Sequence, residues 1–227
     1  MNQNLQILEL GPGDSIASAI IGFSYGASCT FLVDVDYYVT KNLNFYRKLI
    51  STLKSKGFRT PDISEAKSVE DLLKSCNGIY LTKGLSSLKS IESNSINFVW
   101  SHSVLEHIRK YQFFEIQREL KRLLKPSGKA SHNIDFQDHL DYGLNNLRFS
   151  EKIWESKLFA NSGFYTNRLP AVEIHRLFKN KGFKLINENF GKWDKLPIKR
   201  NKVNNIFNQF SDRELAISTS SFLGMKI

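Results

Sequence analysis

The sequence predicts an α/β fold, a sheet of mostly parallel strands with helices on both faces, and three observations lead there. Ile7-Leu8-Glu9-Leu10 is a short apolar run, followed at once by Gly11-Pro12-Gly13, which turns the backbone, and by Ser15, where a helix can begin. Further β-branched and aromatic runs recur at 30–34, 79–81, 96–101 and 129–135, separated by stretches of helical spacing. An acid, Asp34, closes the second of these runs. Alternation of this kind implies parallel strands joined by right-handed crossovers. Ligands of such sheets sit beyond the carboxyl ends of the strands, where the strand order reverses.

Taken in order, the first strand covers residues 5–10. Glycines after it let backbone N–H groups approach a ligand, and the helix end adds partial positive charge. That helix is expected over roughly 15–25, stopping near Gly26. A dinucleotide fingerprint carries another glycine three residues after the second, but Ile16 stands there. Asp34 is placed where nucleotide-binding folds set an acid against ribose hydroxyls, and the approach through Gly26-Ala27-Ser28 favours it over Asp36. Residues 37–77 read as a helical insertion. Phe45, Leu49, Ile50 and Leu53 recur at helical spacing up to Gly57, and Ser68-Val69-Glu70-Asp71 is a capping box. Ile79-Tyr80-Leu81 makes the third strand, followed by Lys83-Gly84-Leu85.

The fourth strand is expected at 96–101. A helix should start at Ser103-Val104-Leu105-Glu106-His107-Ile108 and carry its apolar face on to Leu124. Lys125-Pro126-Ser127-Gly128 reads as the turn that ends it, and 129–135 as the fifth strand. Residues 136–168 are loop-rich, with aromatics, asparagines and charge. Pro170 suits the first position of a helix over 171–181, which Gly182 terminates. The last two strands are expected at 183–190 and 220–227, and the whole of 1–227 reads as one domain.

Composition is that of a globular protein, 41% hydrophobic and 24% charged, with only two cysteines, Cys29 and Cys76, too few for a disulfide framework. No basic and apolar leader opens the chain and no apolar run nears membrane-spanning length, so the expectation is a soluble, cytoplasmic protein without a membrane partner. The net charge of +10 concentrates in two segments: six basic and no acidic residues over 41–59, and eight basic against Glu188 and Asp194 over 179–202. Such faces attract nucleic acid or phosphorylated ligands, and equally serve as solvated helix surface.

Two stretches carry a family resemblance. Glu9-Leu10-Gly11-Pro12-Gly13 has the pattern acid-x-Gly-x-Gly, and Asn97-Phe98-Val99-Trp100-Ser101 followed by Val104-Leu105-Glu106-His107 lies about 90 residues on. They resemble the first motif, and the fourth strand with its following helix, of class I S-adenosylmethionine-dependent methyltransferases of the small-molecule type. The resemblance implies a Rossmann-like sheet of seven strands, the last antiparallel. It also implies S-adenosyl-L-methionine as cofactor, S-adenosyl-L-homocysteine as product, and cofactor contacts from Glu9, Gly11, Gly13, Asp34, Val35, Gly84, Leu85 and Ser101. Lys83 stands where the family pattern has an acid for adenine, so backbone groups near Gly84 and Leu85 are expected to replace it. The insertion at 37–77, or a partner subunit, is expected to cover the cofactor. The insertion at 136–168 sits where such folds recognise the acceptor.

Methyl transfer from a sulfonium is an in-line displacement, in which alignment contributes on the order of 7–11 kcal/mol. A hydroxyl acceptor gains from a positioned base, by roughly 10²–10⁴-fold. Because the sulfonium loses its charge, a neutral base is preferable to a carboxylate at the methyl group. His132 with Asp135, and His139 beyond, are the candidates. Strand alternation sets His132 and Asp135 on opposite faces, so a direct pair requires the strand to end before Asp135. The same three residues could instead hold a metal, and His132 alone could be a core histidine; His107 reads as a packing or capping residue. The leading expectation is O-methylation of a small or saccharide-like metabolite. The basic segments keep an RNA or nucleotide methyltransferase open, against which the fourth strand ends Ser101-His102-Ser103 rather than Asn/Asp-Pro-Pro-aromatic. A non-catalytic scaffold of the same fold is the third reading.

Overall fold

A computed structural model describes residues 4–227; the first three residues of the expected single domain lie outside the described residues. Seven strands form one mixed sheet in the order β3-β2-β1-β4-β5-β7-β6, the last strand antiparallel. They are β1 (Gln6–Leu10), β2 (Cys29–Val33), β3 (Gly78–Leu81), β4 (Ile96–His102), β5 (Leu124–Asp135), β6 (Phe183–Lys192) and β7 (Ile217–Lys226). This is the expected architecture. The chain clusters into two compact units, which are taken in turn.

The first unit holds the chain up to Ser101 together with 118–130 and Lys226. β1 pairs in parallel with β2 on one side and β4 on the other, so that Glu9 lies opposite both Leu32 and Trp100. The strand order therefore reverses at β1, which is where a crevice forms beyond the strand ends. Helix α1 (Ala17–Ser24) lies close on the sheet. A Cβ on Gly22 would stand 2.6 Å from Thr30 Oγ1 and 2.7 Å from Ile7 Cδ1, so Gly22 supplies the close approach that Ile16 cannot. The insertion at 37–77 contains α2 (Leu43–Ser55), capped by Asn42, and α3 (Val69–Ser75), whose capping box joins Ser68 and Asp71 as expected. Their apolar faces bury Tyr46, Ile50, Leu53, Val69 and Leu72 in one cluster with Ile16 and Ile20. A short helix not foreseen, α4 (Leu85–Ser90), follows Gly84.

The second unit holds 102–117, 131–225 and Ile227. From residue 102 onward the structure corrects three expectations. Helix α5 runs from Lys110 to Leu123, so the stretch from Ser103 to Ile108 is a turn and not its first part. Ser103 has a left-handed φ of 52°. The Asn167 amide donates to the Leu105 and Ile108 carbonyls at 2.7 and 3.0 Å, engaging acceptors a helix would use itself. β5 starts at Leu124, directly after α5, and takes Lys125–Gly128 into the strand with Ser127 at φ 60°. Pro170 is the N-cap, extended at ψ 155°, before α8 (Ala171–Asn180). Between β5 and α8 lie only two single-turn helices, α6 (Glu151–Trp154) and α7 (Lys157–Ala160), and a 3₁₀ turn at Asn145–Arg148. A further short helix, α9 (Asp212–Leu215), precedes β7, which starts three residues earlier than expected. Leu144, Leu147, Ile198, Phe207 and Leu215 form a core cluster. Among the described residues no helix is long and apolar enough to cross a membrane.

Candidate active site

In the first unit the expected cofactor residues gather at the carboxyl ends of β1 and β2. Gly11 and Gly13 both take left-handed φ, 71° and 63°, and the Gly11 N–H donates to the Val33 carbonyl at 2.8 Å. The chain is thereby folded back across the end of β2, where Asp34 stands. The Asp34 carboxylate accepts the Gly13 N–H at 3.1 Å and the Val35 N–H at 2.7 Å, while the Gly84 N–H donates to the Asp34 carbonyl at 2.8 Å. Three separate stretches of sequence thus meet at one acid. A Cβ on Gly13 would meet nothing within 4 Å, so open space adjoins the bare backbone. At Gly84 the positive φ of 48° would strain any larger residue, whose Cβ would also press on the Val35 side chain at 3.2 Å. Leu85 opens α4, Val35 is 71% exposed, and Ser101 is buried beside Leu10 in the β1–β4 register.

Glu9 is buried within this group. Desolvation pushes its carboxyl up to about 7, the Ser18 hydroxyl opposes the rise, and the charge of Asp34 adds to it. Oε2 of Glu9 is buried without a hydrogen-bond partner among the described residues. A buried acceptor left open beside positive-φ glycines and a presented carboxylate is the donor set an adenosyl amino acid requires: acids for ribose and ammonium, bare backbone for close approach.

In the second unit the three catalytic candidates part company. β5 persists through Asp135, so His132 and Asp135 lie on opposite faces and make no pair. The His132 ring is 1% exposed, packed against Phe178 and Phe222 at 5.2 and 5.4 Å, and burial pushes its pKa down to about 3. That is the setting of a core ring, and it corrects the expectation that His132 meets a substrate. His139 is exposed and stacks on His107, ring centroids 5.1 Å apart and Nε2 atoms 3.4 Å apart. Nδ1 of His107 lies 2.9 Å from the Tyr165 carbonyl, which only accepts, so His107 carries its proton there and presents a lone pair at Nε2. Partial burial lowers the pKa of His107; the Tyr165 carbonyl opposes this, the charge of His139 adds to it, and Asp135 opposes it. Burial thus favours the neutral form of His107. His102 ends β4, exposed. No group of three metal-ligating side chains occurs among the described residues.

Residues that sequence reasoning passed over shape this region. Asp138, fully buried, accepts the backbone N–H groups of Leu140 and Asp141 at 3.0 and 2.8 Å and of Asn145, and so holds the loop that carries His139. Glu106 is buried, accepts the Asp135 N–H at 3.1 Å, and is pushed up to about 7 by desolvation. An aspartate followed by a glycine-bearing polar loop was the available signal for Asp138. Nothing local marked Glu106.

No protein-family model matches this chain, and no curated protein matches it in sequence. Solved structures do. A SAM-dependent methyltransferase from Methanosarcina mazei is 16% identical at a TM-score of 0.56, over 99% of this chain and 94% of that one. Haemonchus contortus phosphoethanolamine N-methyltransferase 2, in complex with S-adenosyl-L-methionine, is 15% identical at 0.53, over 100% of this chain and 49% of that one. The cyclase SpnF is 10% identical at 0.53, over 98% and 74%. The chain has the class I S-adenosylmethionine-dependent methyltransferase fold.

Proposed function

We propose that this chain is an S-adenosylmethionine-dependent methyltransferase that methylates a hydroxyl of a small, saccharide-like acceptor. The observation that carries the reading is the convergence on Asp34 of Gly13, Val35 and Gly84, beside a buried Glu9 with an unpartnered oxygen. Glu9, Asp34 and the backbone at Gly11, Gly13, Gly84 and Leu85 would hold the cofactor, which when bound supplies a methyl group already activated on sulfonium sulfur. The protein then has to align and deprotonate the acceptor. With Nε2–H of His139 donated to His107, Nδ1 of His139 is the atom that receives the acceptor proton; Asp135 and the Tyr165 carbonyl favour charge spreading onto the pair. As a base for methyl transfer from a sulfonium, a neutral histidine is preferable to a carboxylate.

Titration calorimetry of the wild type and Asp34→Ala with S-adenosylmethionine and S-adenosylhomocysteine tests the cofactor assignment. Micromolar binding to the wild type, lost in the variant, is expected; a wild type that binds neither compound removes the enzymatic reading. Once an acceptor is in hand, His139→Ala should lower kcat by roughly 10²–10⁴-fold. SpnF shares the fold and is named for cyclisation rather than methyl transfer, so a cofactor-binding scaffold with another chemistry is the second reading. Cofactor binding without transfer to any hydroxyl acceptor would favour it.

A further inference from the structure

A cavity of about 30 Å³ in the second unit is walled by Leu144, Leu215 and Ile217 and lined by seven charged or polar residues, Glu106, Asp135, Asn146, Thr166, Asn167, Arg168 and Glu214. Of these, Glu106, Asn146 and Arg168 are 2%, 2% and 5% exposed. Each keeps one buried atom without a hydrogen-bond partner among the described residues: Oε2 of Glu106, Oδ1 of Asn146 and Nε of Arg168. Their remaining atoms are engaged, so none can turn away to find a partner. Glu106 Oε1 accepts the Asp135 N–H at 3.1 Å. Asn146 Nδ2 donates to Thr166 Oγ1 at 3.0 Å, which fixes Oδ1 as the open end. The Arg168 Nη1 donates to the Asn146 and Phe149 carbonyls at 3.2 and 2.7 Å, and Nη2 to Glu151 Oε2 at 2.6 Å. Buried polar groups are almost always satisfied, so three convergent exceptions in one cavity mark a ligand position.

We propose that Glu106, Asn146 and Arg168 form a subsite that receives a vicinal pair of hydroxyls from a neutral polyol or sugar. With Glu106 ionised, the open atoms are two acceptors and one donor. Two hydroxyls complete the set, one donating to Glu106, the other to Asn146, and either accepting from Arg168. A carboxylate or phosphate would face two acceptors and is disfavoured; an ammonium offers nothing to Arg168. The space holds about two water-sized groups, enough for adjacent hydroxyls and too small for a sugar ring, which stays outside. Asp135, Phe136, Leu169, Pro170 and Glu214, the partly exposed members of the lining, mark the open side. That this diol belongs to the methyl acceptor rests on the proposed function; that the subsite binds a diol does not.

Saturation-transfer NMR and calorimetry without added cofactor, using methyl α-mannopyranoside, its 3-deoxy analogue and its 2,3-di-O-methyl derivative, both of which lack any vicinal hydroxyl pair, separate the two. Millimolar binding of the parent glycoside is expected, at least tenfold weaker for both derivatives. Asn146→Leu and the isosteric Glu106→Gln should each weaken the parent glycoside by threefold or more, with circular dichroism reporting that both variants are folded. Equal binding of all three compounds, or no binding at 50 mM, overturns the subsite. So does a crystal structure in which ordered water fills the cavity and a polyol soak fails to displace it. A protein that binds the diol but no S-adenosylmethionine keeps the subsite and loses the methyltransferase reading; the reverse result does the opposite.

Discussion

Glu9 and Glu106 are carboxyls that the fold has taken out of water, each raised to about 7 chiefly by desolvation. A raised carboxyl stabilises the folded state below its unfolded pKa and loses that contribution as pH rises to the folded value. For Glu9 the window is pH 4.5 to 7. Glu9→Gln should therefore gain stability on the wild type across this interval, by an amount of order 3 kcal/mol at its upper end, read as a urea midpoint that separates progressively from the wild type. Superimposed curves at pH 5 and pH 8 would show Glu9 to be solvated. The acid itself was readable in the sequence, two residues before Gly11. Its charge state was not, because burial comes from pairing β1 on both edges, and no local signal records that. The histidines divide the same way. Alternation along β5 set His132 opposite Asp135 in advance, while the stacking of His139 on His107 depends on a loop whose path only the backbone of 138–145 reveals.

At the scale of elements, the turn at 103–108 shows why helix periodicity misled. Leu105 and Ile108 have helical spacing, yet one side-chain amide from Asn167, 62 and 59 residues away, takes their carbonyls. Asn167→Ala should cost about 2–3 kcal/mol, since it leaves the buried Leu105 carbonyl and the half-buried Ile108 carbonyl unpaired. In NMR spectra the His107 ring resonances should shift along with those of the turn, and unchanged resonances would refute the coupling. Another element-level arrangement invites a mistaken assignment. His175 of α8 stands 2.6 Å from Ser220 Oγ of β7 and 3.1 Å from Glu188 Oε2 of β6, with Lys179 at 2.8 Å from the same carboxylate. The order serine, histidine, glutamate is that of a hydrolase, but Ser220 is 1% exposed and no substrate reaches it. Here the chain of bonds ties three elements together. A fluorophosphonate probe should leave Ser220 unlabelled, whereas His175→Ala should lower the melting temperature by several degrees; labelling at Ser220 would reverse the interpretation. Strands bounded by glycine and acid were the most legible elements, and β5 the least, because its first residues include a proline and a left-handed serine that ordinarily end one.

For the molecule as a whole, the mostly parallel sheet was legible in the alternation of strands and helices, but the order of its strands was not. That β1 pairs with β2 on one edge and β4 on the other is set by crossovers as long as the 37–77 insertion, which no local signal routes. Acceptor identity was not legible, since it lies in loops of 136–168 whose chemistry depends on which side chains are buried together. The net charge of +10 leaves nucleic acid as the competitor to be tested. With tritiated methyl donor, incorporation is expected into a polyol fraction and not into total RNA. Radioactivity in RNA that falls steeply with salt would move the assignment to the basic segments. One loop has a practical bearing. Because the Asp138 carboxylate gathers the amides of Leu140, Asp141 and Asn145, the exposed residues 140–142 hang from a single anchor and stand outside the core that Leu144 joins. They form an exchangeable cassette beside His139, where randomised libraries can retarget selectivity while the host protein keeps its fold.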